Sequence, residues 1–297
     1  MLAVYNFIKT IVLHVFHGYI VSVCLRGLQG GHSGMEIDKG RVNADILLGR
    51  ILNKAQKFGE FDIISVDGGS KGNAIPLSAT AKLIVHTENF EEKLKEYTEE
   101  IRRECSAREP GFEVDIIDGV DEQCLVFDNE TKEKVLFLLL TAPNGVMSMS
   151  AEIENLVETS LNLGVMKTGE EEVLLHFTLR SNKKTALTHI EEKLTALAKR
   201  TEASVEKGGY YPPWEFKENS SMQKLYLELF KEKFGYDAKV VAIHAGLECG
   251  VFSDMLLGLD CISFGPETLD VHTTKERVSI KSMKETFELV LDLLENM

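Results

Sequence analysis

Strand and helix patterns alternate in a fixed order over residues 18–207, and this alternation limits the possible folds more than any other feature of the sequence. The run Ile20–Leu25 is rich in β-branched residues and predicts a strand. Apolar residues spaced three and four apart predict a helix from about Arg41 and another over residues 90–101. Two predicted strands lie between these helices and one follows them, so the order is β-α-β-β-α-β.

The same order recurs downstream. A strand is predicted at Leu125–Phe127, a helix at Asn129–Leu140, two strands within residues 156–181, a helix over residues 187–197 and a final strand. Two such units predict an α+β domain with an antiparallel sheet and helices on one face.

A boundary is predicted at "KGGYYPPWEFKENS" (Lys207–Ser220), where prolines and glycines interrupt the pattern. Beyond it, residues 208–297 predict a partial α/β segment. Its elements are helices at Met222–Phe234, after "HAGLECG" and from Ser282, and strands at Lys239–Ile243 and in "CISFG".

The apolar N-terminus, residues 1–17, forms a third region. Its pattern predicts a buried strand or short helix, or else a segment that is loosely packed or covers exposed apolar surface. Asn6, Lys9, His14 and His17 interrupt the run, so neither a signal peptide nor a membrane span is expected. A membrane-anchored binding protein stays an alternative, which a solubility comparison with and without this segment would test.

Composition excludes one class of partner and indicates a compartment. The 297 residues carry a net charge of −14 without a basic cluster, so binding to nucleic acid is disfavoured. The five cysteines are odd in number and show no C-x-x-C spacing. A reducing, cytoplasmic location follows from this usage.

Three histidines lie where a site would be expected. His32 stands in "GGHSG", where glycines allow a tight bend and close approach to a ligand. His244 and His272 follow predicted strands, where α/β sheets place ligand sites. Alternatively each is structural. Glu248 is a metal or amine ligand or a solvated carboxylate, and Cys249 a nucleophile or a buried thiol.

Several motifs together resemble one family. "GLQGGHSGMEIDKGRVNADILLGRIL", "GGSKGNAIP", "APNGVMSMS", "FTLRS", "HAGLECGVF" and "FGPETLDVHTTKERVSIKS" occur in the order found in aminoacyl-histidine dipeptidases of the peptidase D type, within the zinc exopeptidase and carnosinase superfamily. The resemblance covers about Tyr19 to the C-terminus. It implies a lid and dimerisation domain over 18–207, a C-terminal catalytic segment over 208–297, and a homodimer.

The resemblance also implies roles for single residues. His272 matches a ligand of the family's two-zinc centre, and His32 matches the lid histidine that polarises the scissile carbonyl. Asn73 and Arg180 match substrate-holding positions, Arg180 through the peptide's C-terminal carboxylate, for which a guanidinium is suited.

Two further positions complete the predicted site. His244 and Gly246 match a loop that lines the family's pocket. The reaction implied is hydrolysis of an Xaa-His dipeptide by zinc-activated water.

One departure from the family changes the expected activity. The family draws its other zinc ligands and its general base from a segment with H-x-D and Glu-Glu motifs, and no histidine here is followed two residues later by aspartate. Only one zinc ligand is therefore carried over. We expect a truncated form that is inactive alone; the alternative is a non-catalytic lid and dimerisation module or a gene remnant.

Overall fold

The computed structural model describes residues 2–297 except 152, 213, 215–216, 218, 242–246 and 270–275. Its seven described α-helices and large antiparallel sheet form a mixed α/β structure. Contacts divide the described residues into unit 1, which runs to residue 211, and unit 2, which runs from residue 212 to the C-terminus.

Unit 1 is built on an antiparallel sheet. Its strands are β1 (Leu2–Thr10), β2 (Leu13–Arg26), β3 (Gly31–His32), β4 (Phe61–Gly69), β5 (Ala74–Ile75), β6 (Ala79–Val85), β7 (Glu113–Phe127), β8 (Gly145–Met149), β9 (Val157–Thr168), β10 (Glu172–Ser181) and β11 (Ser204–Tyr211). In the described part, nine of them form one sheet in the order β11-β1-β10-β9-β4-β6-β2-β7, with β8 also paired to β9. Strands β3 and β5 form a separate two-stranded ribbon.

Four helices pack on one face of this sheet. They are α1 (Ala44–Ala55), α2 (Phe90–Cys105), α3 (Asn129–Thr141) and α4 (Lys184–Thr201). Alternate strand residues, such as Val23 on β2 and Phe177 on β10, join the buried helix residues in one apolar cluster. The predicted antiparallel sheet with helices on one face is therefore present.

The second predicted unit is not built as expected. Leu125–Phe127 do not start a new strand, because β7 runs without a turn from Glu113 and its last residues pair with Leu13–Val15 of β2. The position between β10 and β11 is instead taken by β1.

Within residues 1–17, Leu2–Thr10 form the buried strand that one alternative predicts, and this stretch is not loosely packed. Strand β1 hydrogen-bonds on both sides, to β10 and β11. Tyr5 and Phe7 are fully buried, and the Phe7 ring meets the Phe177 ring edge-on at 5.5 Å. The alternating burial of this apolar run is that of a central strand.

Unit 2 has less regular structure. It contains α5 (Ser221–Phe234), α6 (Glu248–Met255), α7 (Ile280–Glu295) and a short hairpin of β12 (Thr268–Leu269) and β13 (Arg277–Val278). The predicted helices are confirmed. The strand predicted in "CISFG" is wrong, and residues 239–241 are not extended in a sheet, because no described strand lies beside them to complete a ladder. The rest of the strand predicted at Lys239–Ile243 lies outside the described residues.

None of the helices in the described part of the chain is both long enough and apolar enough to span a membrane.

Candidate functional site

His32 lies on the β3–β5 ribbon, directly across from the Asn73 turn. It pairs with Ala74, and the backbone N–H of Ser33 donates to the Asn73 carbonyl at 2.9 Å. His32 is half-buried, whereas Asn73 is exposed. Two of the predicted residues are therefore neighbours, although forty residues separate them in the chain.

Backbone hydrogen bonds set the state of the His32 ring. The N–H groups of Gly34 and Met35 donate to its Nδ1 at 3.2 and 3.1 Å. A ring nitrogen that accepts carries no proton, so the neutral imidazole has its proton on Nε2. The ring is thereby set up as an Nε2–H donor, which is what a carbonyl oxygen or an oxyanion requires.

The ribbon lies on the sheet face opposite the helices. Thr178 Oγ1 on β10 donates to the Gly72 carbonyl at 2.8 Å, and Asn162 Nδ2 on β9 donates to the Ala74 carbonyl at 2.8 Å. Asn162 and Thr178 are paired across the two strands. These two buried polar side chains therefore fasten the ribbon to the sheet.

The close approach of ribbon and sheet depends on glycine at position 72. A Cβ there would lie 2.1 Å from His176 Nε2 and 3.2 Å from Thr178 Oγ1. The His176 ring cannot easily move away, because its Nδ1 is hydrogen-bonded to Asn6 Oδ1 at 2.7 Å. Burial also lowers the pKa of His176, which favours the neutral ring.

Arg180 follows Thr178 on the same strand face, two residues further along. It pairs with Leu2 of β1 and Ser160 of β9, and only 6% of its surface is exposed. Two residues along a strand correspond to roughly 7 Å. Arg180 therefore lies on the sheet face that carries the ribbon, two residues along β10 from the Thr178 attachment. The structure brings His32 and Asn73 together and places Arg180 on the same face of the sheet.

The guanidinium of Arg180 lacks an anionic partner in the described part of the chain. Its Nε is buried without a hydrogen bond, and no carboxylate of the described residues forms an ion pair with it. Burial lowers its pKa, but an arginine stays charged. Since an unpaired buried charge is costly, this arrangement favours an anionic ligand.

Sequence reasoning missed the two residues that fasten the ribbon. Asn162 lies between leucines in "SLNLG", and Thr178 lies two residues before Arg180 in "FTLRS". The period of two within a strand places Thr178 and Arg180 on one face, so this signal was available. The pairing of Asn162 with that face depends on strand register, which the sequence leaves open.

Three predicted site residues, His244, Gly246 and His272, lie outside the described residues. Among the residues that are described, no three His, Cys, Asp or Glu side chains are grouped so that they could hold one metal ion. A zinc site typically needs at least three protein ligands. The described side chains by themselves therefore do not fit a zinc centre.

Cys249 does not have the properties of a nucleophile. Burial and the neighbouring Cys261 thiol raise its pKa to about 11. Its Sγ lies 3.7 Å from the Ile262 carbonyl. The thiol is protonated at neutral pH, whereas nucleophilic cysteines have a lowered pKa.

Part of the chain matches a known family model, and most of it is similar in sequence to a known dipeptidase. Residues 23–113 match the family model described as a peptidase dimerisation domain. The chain is 32% identical over 273 residues to the cytosol non-specific dipeptidase of Escherichia coli (strain K12). The aligned region covers 91% of this chain and 56% of the dipeptidase. The chain thus spans about half the length of the curated relative it matches.

A solved structure is similar over the whole chain. The aminoacylhistidine dipeptidase from Vibrio alginolyticus superposes with a TM-score of 0.89 and 31% identity, over 100% of this chain and 61% of that one. The match includes β1, which lies outside the motifs that carry the resemblance in sequence. The resemblance to the aminoacyl-histidine dipeptidases is confirmed by these similarities in sequence and structure.

Proposed function

From its similarity to the aminoacyl-histidine dipeptidases, we propose that this chain takes part in the hydrolysis of dipeptides and that unit 1 holds the peptide. Arg180 binds the C-terminal carboxylate, and His32 donates from Nε2 to the scissile carbonyl oxygen. Asn73 holds the peptide between them. A cytoplasmic location follows from the cysteine usage and from the name of the bacterial relative.

The buried guanidinium of Arg180 is the observation that carries the proposal. A carboxylate placed against it forms two parallel charge-assisted hydrogen bonds and gives Nε a partner. Because a dipeptide has its carboxylate close to its only peptide bond, a fixed cation on the sheet face that carries the His32 ribbon selects very short peptides. A longer peptide continuing past this point would place a neutral amide against the charge.

His32 supplies the group that a peptide carbonyl needs on this side. Charge develops on the carbonyl oxygen when a nucleophile adds, and a donor fixed before the reaction stabilises that charge without reorganisation. Nδ1 already accepts from the N–H groups of Gly34 and Met35. The ring can therefore donate to the oxygen in its neutral form.

Zinc enters the proposal through residues outside the described part of the chain. We propose His272 as a ligand of a two-zinc centre and His244 and Gly246 as residues that line the pocket. Zinc supplies an activated water in such enzymes. The expectation that this chain alone does not hydrolyse dipeptides stays a prediction, tested by comparing it with His272→Ala in excess Zn²⁺.

Calorimetry with alanyl-histidine and with its C-terminal amide tests the proposal. Wild-type protein should bind the dipeptide at least tenfold more tightly than the amide, since the amide cannot pair with the guanidinium. Arg180→Met should remove that preference. Arg180→Lys should restore only part of it, because an ammonium lacks the planar fork.

Arg26→Met is the matched control, since Arg26 is exposed and paired with Glu113 and Asp115 on the same sheet. It should leave dipeptide affinity unchanged. If Arg180→Met binds the dipeptide as tightly as wild type does, Arg180 does not hold the carboxylate and the proposed function is wrong.

A homodimer is proposed through unit 1. The peptidase dimerisation domain matches residues 23–113, and β7 is an edge strand whose Ile117 and Val120 are 52% and 62% exposed. Edge strands pair readily with a second copy. Sedimentation should show a dimer that Val120→Lys weakens, whereas a monomeric wild type would contradict the proposal.

The two-unit interpretation of the sheet also enters as a proposal. Strand order β4-β6-β2-β7 on one side corresponds to β9-β10-β1-β11 on the other when β1 takes the place of β2. Superposition of residues 20–118 on residues 129–211 together with β1 tests this correspondence.

A further inference from the structure

The carboxylate of Glu36 lies under the bend that carries His32. Its Oε2 accepts the backbone N–H of His32 at 2.9 Å, and the N–H of Glu36 donates back to the His32 carbonyl at 2.9 Å. These reciprocal bonds close the turn from His32 to Glu36. The same turn positions the N–H groups that bind the imidazole Nδ1.

Two cations hold the other carboxylate oxygen. Lys39 Nζ lies 2.8 Å and Arg41 Nη2 lies 3.0 Å from Glu36 Oε1. Arg41 also donates to the carbonyl of Gly30. These hydrogen bonds and charges lower the pKa of Glu36 to about 2, so the group is ionised at neutral pH. Arg41 therefore links the Gly30 carbonyl, before the bend, to the Glu36 carboxylate that accepts the His32 N–H.

The bend and this ion pair occupy adjoining space. A Cβ at Gly31 would lie 2.2 Å from Arg41 Nη1 and 2.8 Å from Glu36 Oε2. Gly31 has a φ of +139°, which side-chain-bearing residues rarely adopt. Glycine therefore allows the pair to contact the backbone directly before His32.

We propose that Glu36 and Arg41 are positioning residues that fix His32 as an Nε2–H donor toward the peptide carbonyl. The inference rests on the proposed function for the identity of the acceptor. Glu36 holds the backbone of His32 and closes the turn. The closed turn aligns Gly34 N–H and Met35 N–H with Nδ1. Arg41, which also donates to the Gly30 carbonyl, keeps the Glu36 carboxylate in place.

Nitrogen-15 NMR of the histidine rings tests the positioning without any activity, at a pH where imidazole is neutral. Wild-type His32 should show two well-separated ring shifts, one for protonated Nε2 and one for Nδ1. In Glu36→Ala the shifts should move toward each other, because a released ring exchanges between tautomers. Dipeptide affinity should fall about tenfold with the loss of one aligned donor.

Two further variants separate positioning from unfolding. Glu36→Gln keeps an acceptor for His32 N–H but loses the charge that attracts Arg41. Its His32 ring shifts and its dipeptide affinity should therefore lie between those of wild type and Glu36→Ala. Lys39→Ala removes only the exposed partner and should resemble wild type. The His86 ring, bonded to Asp62 at 2.7 Å elsewhere on the sheet, reports that the fold is intact.

The outcomes distinguish the two proposals. If His32 shifts in Glu36→Ala match wild type while His86 is unchanged, the positioning role is wrong, whatever the peptide does. If the shifts respond as expected but neither wild type nor any variant binds the dipeptide, the positioning role holds and the proposed function fails.

Discussion

Units 1 and 2 differ in where their apolar side chains lie. In unit 1, helices α1 to α4 and the sheet share one cluster in which Tyr5, Phe7 and Phe177 are almost fully buried. In unit 2, α5 has no buried residue and α7 has only Leu289 and Leu293. Phe287 and Leu294 on α7 are 62% and 64% exposed.

This difference separates two sources of structure. Unit 1 buries a large apolar cluster between its sheet and its helices, and this packing fixes its strand order. The helices of unit 2 are instead defined locally, by serine caps at Ser220 and Ser279 and by helical spacing. Substitutions should therefore have effects of very different size in the two units.

The largest effect is expected for Phe177→Ala at the centre of unit 1. It removes a buried ring, leaves a cavity and loses the edge-on contact with Phe7, at a cost of about 3–5 kcal/mol. Denaturant unfolding measures the loss. Leu174→Ala, half-buried on the same strand, is the control and should cost less than half as much; equal costs would show that unit 1 lacks a dominant core.

A second large effect concerns Asp45, which is fully buried on α1 without hydrogen bonds to either carboxylate oxygen. Burial raises its pKa from 3.8 to about 8. The folded state therefore keeps a proton that the unfolded state releases, and stability falls as pH rises from about 4 to about 8. Asp45→Asn removes this dependence.

Thermal unfolding at pH 5 and pH 8 measures that effect. The stability gained by Asp45→Asn over wild type should be larger at pH 8, by roughly 3 kcal/mol. Asp38→Asn, at an exposed position, should change stability by less than about 0.5 kcal/mol at both pH values. A gain from Asp45→Asn that is equal at the two pH values would mean that Asp45 is ionised in the folded protein.

Sequence patterns predicted the helices and strands of unit 1 better than they predicted which strands pair with each other. Helices and strands followed from apolar spacing, because each buries one face. The role of β1 did not, because a strand's neighbours are set by packing between distant segments. Its apolar run stands apart from the alternating pattern in the sequence, yet it is the strand between β10 and β11.

The candidate site shows the same limit. His32, Asn73 and Arg180 are predicted from motifs, but only the structure shows that His32 and Asn73 meet in a ribbon fastened to β9 and β10. Glu36 lies within one of those motifs without a predicted role, since only the structure shows its carboxylate bonded to the His32 backbone.

A smaller effect is expected at the cap of α5 in unit 2. Ser220 Oγ accepts the backbone N–H of Gln223 at 2.9 Å. Ser220→Ala removes this bond and should cost about 1 kcal/mol. Hydrogen exchange in peptides from α5 measures the loss locally. Ser221→Ala is the neighbouring control. If the two variants lower the exchange protection of α5 equally, the capping role of Ser220 is contradicted.

The smallest effect is expected for Phe287→Gln on the exposed stripe of α7. An exposed side chain gives up little burial, so the change should be within about 0.5 kcal/mol. Leu289→Ala on the same helix is the matched contrast: Leu289 is 2% exposed, and its truncation should cost about 2 kcal/mol or more. Hydrogen exchange in α7 compares the two. If Phe287→Gln lowers the exchange protection of α7 as strongly as Leu289→Ala does, Phe287 is covered in solution. The contrast in apolar burial between the two units would then be wrong for α7.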